Sequence, residues 1–366
     1  MSLDDLESLA TDGWPYTVWR LDDFQAWEPP SDAGLLENGH GDILVDDGAD
    51  VAIVGPPGVG KSRLALQLAI AQVTGTPWAG LPTRWPAKRW LLVGNENSIR
   101  RQRMDILAMT STLTTSALEL VQEHLYLHVQ KDRDDSLISM GNESSVKKWK
   151  TTLKHIKPDV LLIDPFEALL ENGDANDSGD VRRSMTELGV LLREQVPTGT
   201  IVFVHHARTG AHAAAGALGF DRNNYAKGSK TFTGIVRCQF NVCPASRDEP
   251  GRIALECGKA NDCRPFQARG LILHEPTATY HDDPDFDPEA LHAILMGKEP
   301  PIQVTLDELK HLIANGTNRF ADISKAIRDA SGANTDTVRR RLQKGVKSGE
   351  LNQALGIYSV ANNPSL

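Results

Sequence analysis

Residues 55–62 read Gly55, Pro56, Pro57, Gly58, Val59, Gly60, Lys61 and Ser62, a glycine-rich turn closed by a lysine and a hydroxyl residue. This is the spacing of a phosphate-binding loop. Glycines let successive backbone N–H groups curl around the β- and γ-phosphates of a nucleotide, Lys61 supplies a mobile positive charge, and Ser62 offers its hydroxyl to Mg²⁺. An apolar run, Val51 to Val54, precedes the turn and a helical pattern follows it, so a helix N-terminus is expected to point at the same anion. Arg63, the next residue, is counted with this ATP-binding stretch. ATP and Mg²⁺ are the expected ligands.

Phosphate chemistry of this kind also needs an acid near the metal and a group that orients water. Asp164 closes the run Val160, Leu161, Leu162, Ile163 and is followed by Pro165, which places its carboxylate at a strand end as a second Mg²⁺ contact. Glu96, just beyond the run Trp90, Leu91, Leu92, Val93, is the favoured general base. Glu167 is its rival, three residues past Asp164 and beyond a proline, on a segment expected to lead away. The run 200–204 ends in His205 and His206. Adjacent side chains on a strand point opposite ways, so the two cannot chelate one metal, but one of them can reach the γ-phosphate and report nucleotide state to the following loop.

The elements that must position these residues follow from the same runs. Short continuous apolar stretches separated by helical patterns are what strands buried on both faces of a parallel sheet look like. Residues 62–72 and 181–193 carry apolar side chains at three- and four-residue intervals, as covering helices should. The expected fold class is therefore α/β, a doubly wound sheet, with further strands around residues 232–242, 252–256 and 270–274.

Length and charge set the outer limits. A chain of 366 residues suits one large core with a small appendage. Its net charge of -9 argues against a generally basic coat, yet residues 305–349 hold nine Lys and Arg against five Asp and Glu, so the tail is the electrostatic exception. The first twenty residues contain neither a signal-peptide pattern nor an Arg-rich transit pattern, and no run is long enough to cross a membrane, which leads to the expectation of a cytoplasmic protein. Within their pairs, Cys238 and Cys243 have four residues between them and Cys257 and Cys263 have five; buried free thiols fit this better than a zinc site.

Four segments are expected: an irregular acidic lead-in over residues 1–34, in which Trp14, Trp19 and Trp27 pack on the body; an ATPase domain over 35–280; a linker rich in Asp and Pro over 281–303; and a helical tail over 304–366. The tail reads as three helices and short strands, which resembles a winged helix-turn-helix. On its third helix Val338, Leu342 and Val346 share one face, Arg340, Lys344 and Lys347 lie nearly opposite, and Arg339 and Arg341 flank them. An apolar inner face with a cationic outer face suits a recognition helix in a DNA groove, and it also suits a solvated helix in a protein-binding domain.

Taken together, the phosphate-binding loop, the strand end at Asn95, Glu96 and Asn97 with Arg100, Arg101 and Arg103 beyond it, the strand ending in Asp164, and His205, His206 and Arg208 resemble RecA-like ATPases close to the hexameric replicative helicases of plasmids, the RepA type. The resemblance spans residues 35–275. It implies a RecA-like fold and that Arg237 reaches as an arginine finger into the neighbouring subunit's ATP, with Lys259 assisting; a plain strand-surface charge is the other reading of Arg237. It also places a pore loop at residues 209–228, where Arg222 and Lys227, with Arg208 before them, would track single-stranded DNA; the same composition describes a disordered surface loop. The expected function is an ATP-driven, ring-forming, most simply hexameric DNA helicase. The alternatives are a filament-forming recombination or repair ATPase and an ATP-switched DNA-binding regulator.

Overall fold

Each apolar run becomes a strand whose alternate side chains enter opposite layers. In the computed structural model, which describes residues 20–28, 30–132, 134–208, 214–219, 221–246, 249–296 and 304–361, Val51 and Ile53 join one core while Ala52 and Val54 join the other. The strands, in chain order, are β1 (Leu36–Glu37), β2 (Ile43–Val45), β3 (Asp50–Gly55), β4 (Trp90–Gly94), β5 (Leu125–Leu127), β6 (Val160–Asp164), β7 (Thr200–His206), β8 (Cys238–Pro244), β9 (Arg252–Ala260), β10 (Arg269–His274) and β11 (Thr279–Asp282). Nine of them form one sheet in the order β11-β10-β9-β8-β3-β7-β6-β4-β5. From β8 to β5 the neighbours run parallel, and β9, β10 and β11 continue the sheet antiparallel. With helices on both faces, this is a doubly wound α/β fold.

Helix α1 (Leu21–Ala26) precedes the sheet, and α2 (Lys61–Thr74), α3 (Ile99–Thr110) and α4 (Thr115–His124) follow β3 and β4. The other face is covered by α5 (Glu143–Ile156) and α6 (Ser178–Arg193), whose Trp149, Leu153, Val181, Met185 and Leu188 are buried against Leu161, Ile163 and Phe203. Short α7 (Lys230–Ile235) and α8 (Pro288–Leu295) complete the body. Residues 304–360 build a third core of their own from α9 (Leu306–Ala314), α10 (Phe320–Ser331), α11 (Thr335–Lys347) and the hairpin β12 (Leu351–Ala354) and β13 (Ile357–Val360).

Several expectations change. The lead-in is not irregular throughout, since α1 within it is helical. Trp27 is 37% exposed; Trp14 and Trp19 lie outside the described residues. Residues 230–235 form a helix instead of a strand, because the Ser229 side chain caps the Thr231 N–H and Phe232 turns inward onto Phe166 and Phe203.

The span expected to be a linker is tied to the body up to residue 296. β11 completes the sheet edge, Arg252 pairs with buried Asp283 at 2.6 Å, and Phe286 and Leu291 enter the second core. Residues 297–303 lie outside the described residues. Among the described residues no helix is long and apolar enough to cross a membrane.

Candidate functional site

β3 delivers the chain to the carboxyl edge of the sheet at Gly55, and the turn that follows depends on glycine twice. Gly58 and Gly60 have φ of 76° and 98°, the left-handed region that side chains disfavour. A Cβ at Gly60 would also collide with the Tyr280 hydroxyl. Gly60 is the N-cap of α2 and offers no side-chain cap, so the first amides of a 14-residue helix remain open to an anion. Tyr280 packs behind the turn: its hydroxyl is 3.4 Å from the Val59 carbonyl, and the Gln67 side chain bonds its backbone N–H and C=O at 2.8 and 2.9 Å.

Lys61 is buried, forms no ion pair among the described residues, and donates to the Pro56 carbonyl at 2.9 Å. Burial pushes its ammonium below the ordinary lysine value, and the nearby carboxylates of Asp164, Glu167 and Glu96 pull it partly back. Asp164, at the end of β6, is buried beside the Ser62 hydroxyl; burial raises its carboxyl, Ser62 and Lys61 lower it, and Glu96 raises it again. Asn97 Nδ2 approaches Asp164 Oδ2 at 3.4 Å. Gly94, closing β4, lies so near that a Cβ there would collide with the Asp164 carbonyl oxygen.

The residues present fit a magnesium nucleotide. A buried ammonium with no ion pair among the described residues, open helix amides and a hydroxyl beside a carboxylate are the donor and hard-oxygen sets that polyphosphate and Mg²⁺ require.

The other strand ends converge here. His206 lies opposite Gly55 in the β3–β7 register, with Nε2 3.8 Å from Oε1 of Glu96, whose side chain is half exposed at the mouth of the site. His205 points to the opposite face, wholly buried between Phe166 and Phe232. Its Nε2 donates to the Lys227 carbonyl at 2.8 Å, and its Nδ1 lies 3.1 Å from Oε1 of Glu167, at ion-pair distance without the alignment of a full hydrogen bond. Burial raises the Glu167 carboxyl, but His205 outweighs it and the net value falls below that of an ordinary glutamate.

Glu167 therefore does not lead away. The 3₁₀ turn Phe166–Leu169 brings it back within electrostatic reach of Lys61. Arg63 turns aside to pair with Asp105 at 3.2 Å, an acid it shares with Arg101.

Arg237 and Lys259 lie at the other end of the sheet. The Arg237 N–H donates to the Asp50 carbonyl, at the start of the strand that ends in Gly55, roughly 15–20 Å away at the rise of a β-strand. The Arg237 side chain pairs with Asp262, and Lys259 Nζ donates to the Thr233 and Val236 carbonyls at 2.8 and 2.7 Å.

The segment read as a pore or surface loop is partly packed. Ala217, Tyr225 and Ala226 are buried, Asn241 holds the Ala217 and Arg222 carbonyls at 3.0 and 2.7 Å, and Arg222 faces buried Glu256 at 4.0 Å. Residues 209–213 and 220 lie outside the described residues. Arg208, exposed, donates to the Ala226 carbonyl at 3.1 Å, and the Lys227 side chain is exposed.

On α11 the outer cationic face is largely occupied. Arg341 is buried instead of flanking it, Lys344 donates to the Phe286 carbonyl, and Arg340 pairs with Glu289; Arg339 pairs with Asp336, and Lys347 is exposed. The cysteines Cys238, Cys243, Cys257 and Cys263 are free thiols.

Sequence reasoning gave no role to Asn97 or Tyr280. Asn97 stood beside Glu96 and could have been noticed from that position, whereas Tyr280, more than two hundred residues from Gly60, carried no local signal.

No curated protein sequence matches the chain. Among solved structures, the RadB recombinase aligns at 12% identity and a TM-score of 0.44 over 65% of this chain and 91% of its own. A KaiC-like protein from Pyrococcus horikoshii OT3 aligns at 14% and 0.42 over 65% and 90%, and the ATPase domain of a third protein at 11% and 0.45 over 64% and 84%. The family described as AAA domain matches residues 15–212, more than half of the 366 residues, and the chain belongs to that family of P-loop ATPases.

Proposed function

We propose that the protein is a ring-forming DNA helicase that hydrolyses Mg-ATP at the interface between subunits. The observation that carries this reading is the separation of Arg237 from the phosphate-binding turn of its own chain: it sits at the amino edge of β8, Gly55 at the carboxyl edge of β3. A cation so placed can meet a γ-phosphate only across a subunit boundary, in the head-to-tail contact that closes rings. Lys259, held in the same corner by two carbonyls, positions the segment beside Arg237.

Within one chain, the amides of residues 58–62 and Lys61 grip the β- and γ-phosphates. Ser62 and Asp164 would hold Mg²⁺, which when bound neutralises charge developing on the transferring phosphate. Glu96, half exposed and beside His206, orients the attacking water and accepts its proton. Glu167, already engaged by His205, serves in the pair that carries the state of the site to Lys227 and the segment before it, where Arg208, Arg222 and Lys227 approach single-stranded DNA. Residues 304–361 act as a winged helix-turn-helix that contacts duplex DNA through α11.

Strand displacement on forked DNA, combined with electron microscopy in the presence of ATP, tests the reading. Closed rings and ATP-dependent displacement are expected. Filaments without displacement would move the assignment to a recombination ATPase, and promoter-specific binding without displacement to a regulator.

A further inference from the structure

The third helix of the C-terminal unit is docked onto the ATPase body by its cations. Arg341 Nη1 donates to the Pro284 carbonyl at 2.6 Å and its other amino group pairs with Asp285; Lys344 Nζ donates to the Phe286 carbonyl at 3.0 Å; Arg340 pairs with Glu289 at 2.5 Å. Three basic residues spanning about one turn of α11 thus clasp the stretch 284–289. That stretch belongs to the body: Phe286 packs so closely on Gly270 that a Cβ there would overlap its own, and Arg252 clamps the preceding Asp283.

The contact is built from charges and carbonyls, because Val338 and Leu342 are used inside the C-terminal core. It is also incompletely satisfied, since Arg341 Nε is buried with no hydrogen-bond partner among the described residues. Ion pairs and carbonyl contacts of this type exchange readily for other anions and weaken with salt. Asp285 and Glu289 present carboxylates where α11 would otherwise meet phosphates, and Lys347, on the same helix, stays exposed.

We propose that residues 284–289 are a detachable mask over α11, which duplex DNA displaces by supplying phosphates to Arg340, Arg341 and Lys344. The inference rests on the reading that the C-terminal unit binds duplex DNA.

The test uses the full chain in two forms besides the wild type: Asp285→Asn with Glu289→Gln, which neutralises the mask, and Lys347→Glu, which reverses a charge outside it. Asp287, whose side chain caps α8, is left intact. Duplex binding is read by fluorescence anisotropy at moderate salt, and hydrogen exchange follows residues 284–289 of the wild type with and without duplex. The neutralised form should bind about threefold to tenfold tighter, the gain expected from releasing one exposed ion pair, Arg340 with Glu289, and one half-buried pair, Arg341 with Asp285. Lys347→Glu should bind more weakly, and duplex should accelerate exchange in the wild-type stretch. If Lys347→Glu weakens binding while the neutralised form is unchanged, or exchange in the stretch does not respond to duplex, the mask is overturned and the DNA-binding reading stands. If neither form differs from the wild type, the face does not meet DNA and both fall.

Discussion

Nδ1 of His205 lies 3.1 Å from Oε1 of Glu167, while Nε2 of the same ring donates to the Lys227 carbonyl at 2.8 Å. A carbonyl can only accept, so Nε2 carries a proton, and Nδ1 is the nitrogen that faces the carboxylate. The bridge joins an acid in the field of Lys61 to the backbone of the proposed DNA-facing segment. His205→Asn should leave ATP affinity nearly unchanged and reduce the stimulation of hydrolysis by single-stranded DNA by about tenfold, a coupling of ordinary size. Stimulation that survives intact in steady-state phosphate release would remove the bridge from the mechanism.

Glu96 and Glu167 divide the labour proposed for the site, and isosteric amides distinguish them. Glu96→Gln should slow hydrolysis on the order of 10²-fold or more, as expected for loss of a general base, while a fluorescent ATP analogue still binds. Glu167→Gln should retain most basal hydrolysis and lose DNA stimulation, like His205→Asn. The reverse ranking would make Glu167 the base.

How much of this was visible beforehand depends on how local each determinant is. The runs at residues 51–54, 90–93, 160–163 and 200–204 were legible as core strands because burial on both faces demands continuous apolar sequence, and the gathering of Gly55, Asp164 and His206 at one edge follows from those strands running parallel. The return of Glu167 was not legible: it is set by a 3₁₀ turn and a buried histidine on another strand. Phe232 read as part of a strand because aromatic and β-branched neighbours suit one, and only its contacts with Phe166 and Phe203 make it helical. The inward turn of Arg341 depends on Pro284 and Asp285, more than fifty residues away, where helical periodicity has no purchase.

If Arg237 completes a neighbour's site, two inactive proteins should rescue each other. Lys61→Ala removes the cation gripping the subunit's own nucleotide, and Arg237→Ala removes the one offered to the next subunit. Alone, each should hydrolyse ATP at no more than about 1% of the wild-type rate, the scale of losing a transition-state cation. In a random mixture about a quarter of head-to-tail interfaces pair an intact Lys61 with an intact Arg237, so activity should reappear on mixing. Phosphate release measured across mixing ratios checks this, and a mixture no more active than its components would place Arg237 outside the reaction.

Glu256 offers a prediction about stability. It is buried on β9 with Arg222 4.0 Å away; burial raises its carboxyl to about 7, and Arg222 offsets that only in part. Below the pKa of the unfolded chain's glutamate both states hold the proton, and Glu256 makes no difference. As pH rises from there toward 7, the unfolded chain releases the proton while the folded one keeps it, so stability falls with pH; above 7 the loss is complete and constant. Glu256→Gln removes this dependence without changing shape. The advantage of the variant over the wild type should therefore grow by about 2–3 kcal/mol between pH 5 and pH 8, as a shift of this size implies. Urea denaturation of both proteins at the two pH values gives that difference directly. An advantage that stays constant, or shrinks as pH rises, would mean that Glu256 is ionised in the folded protein throughout and that Arg222 fully compensates its burial.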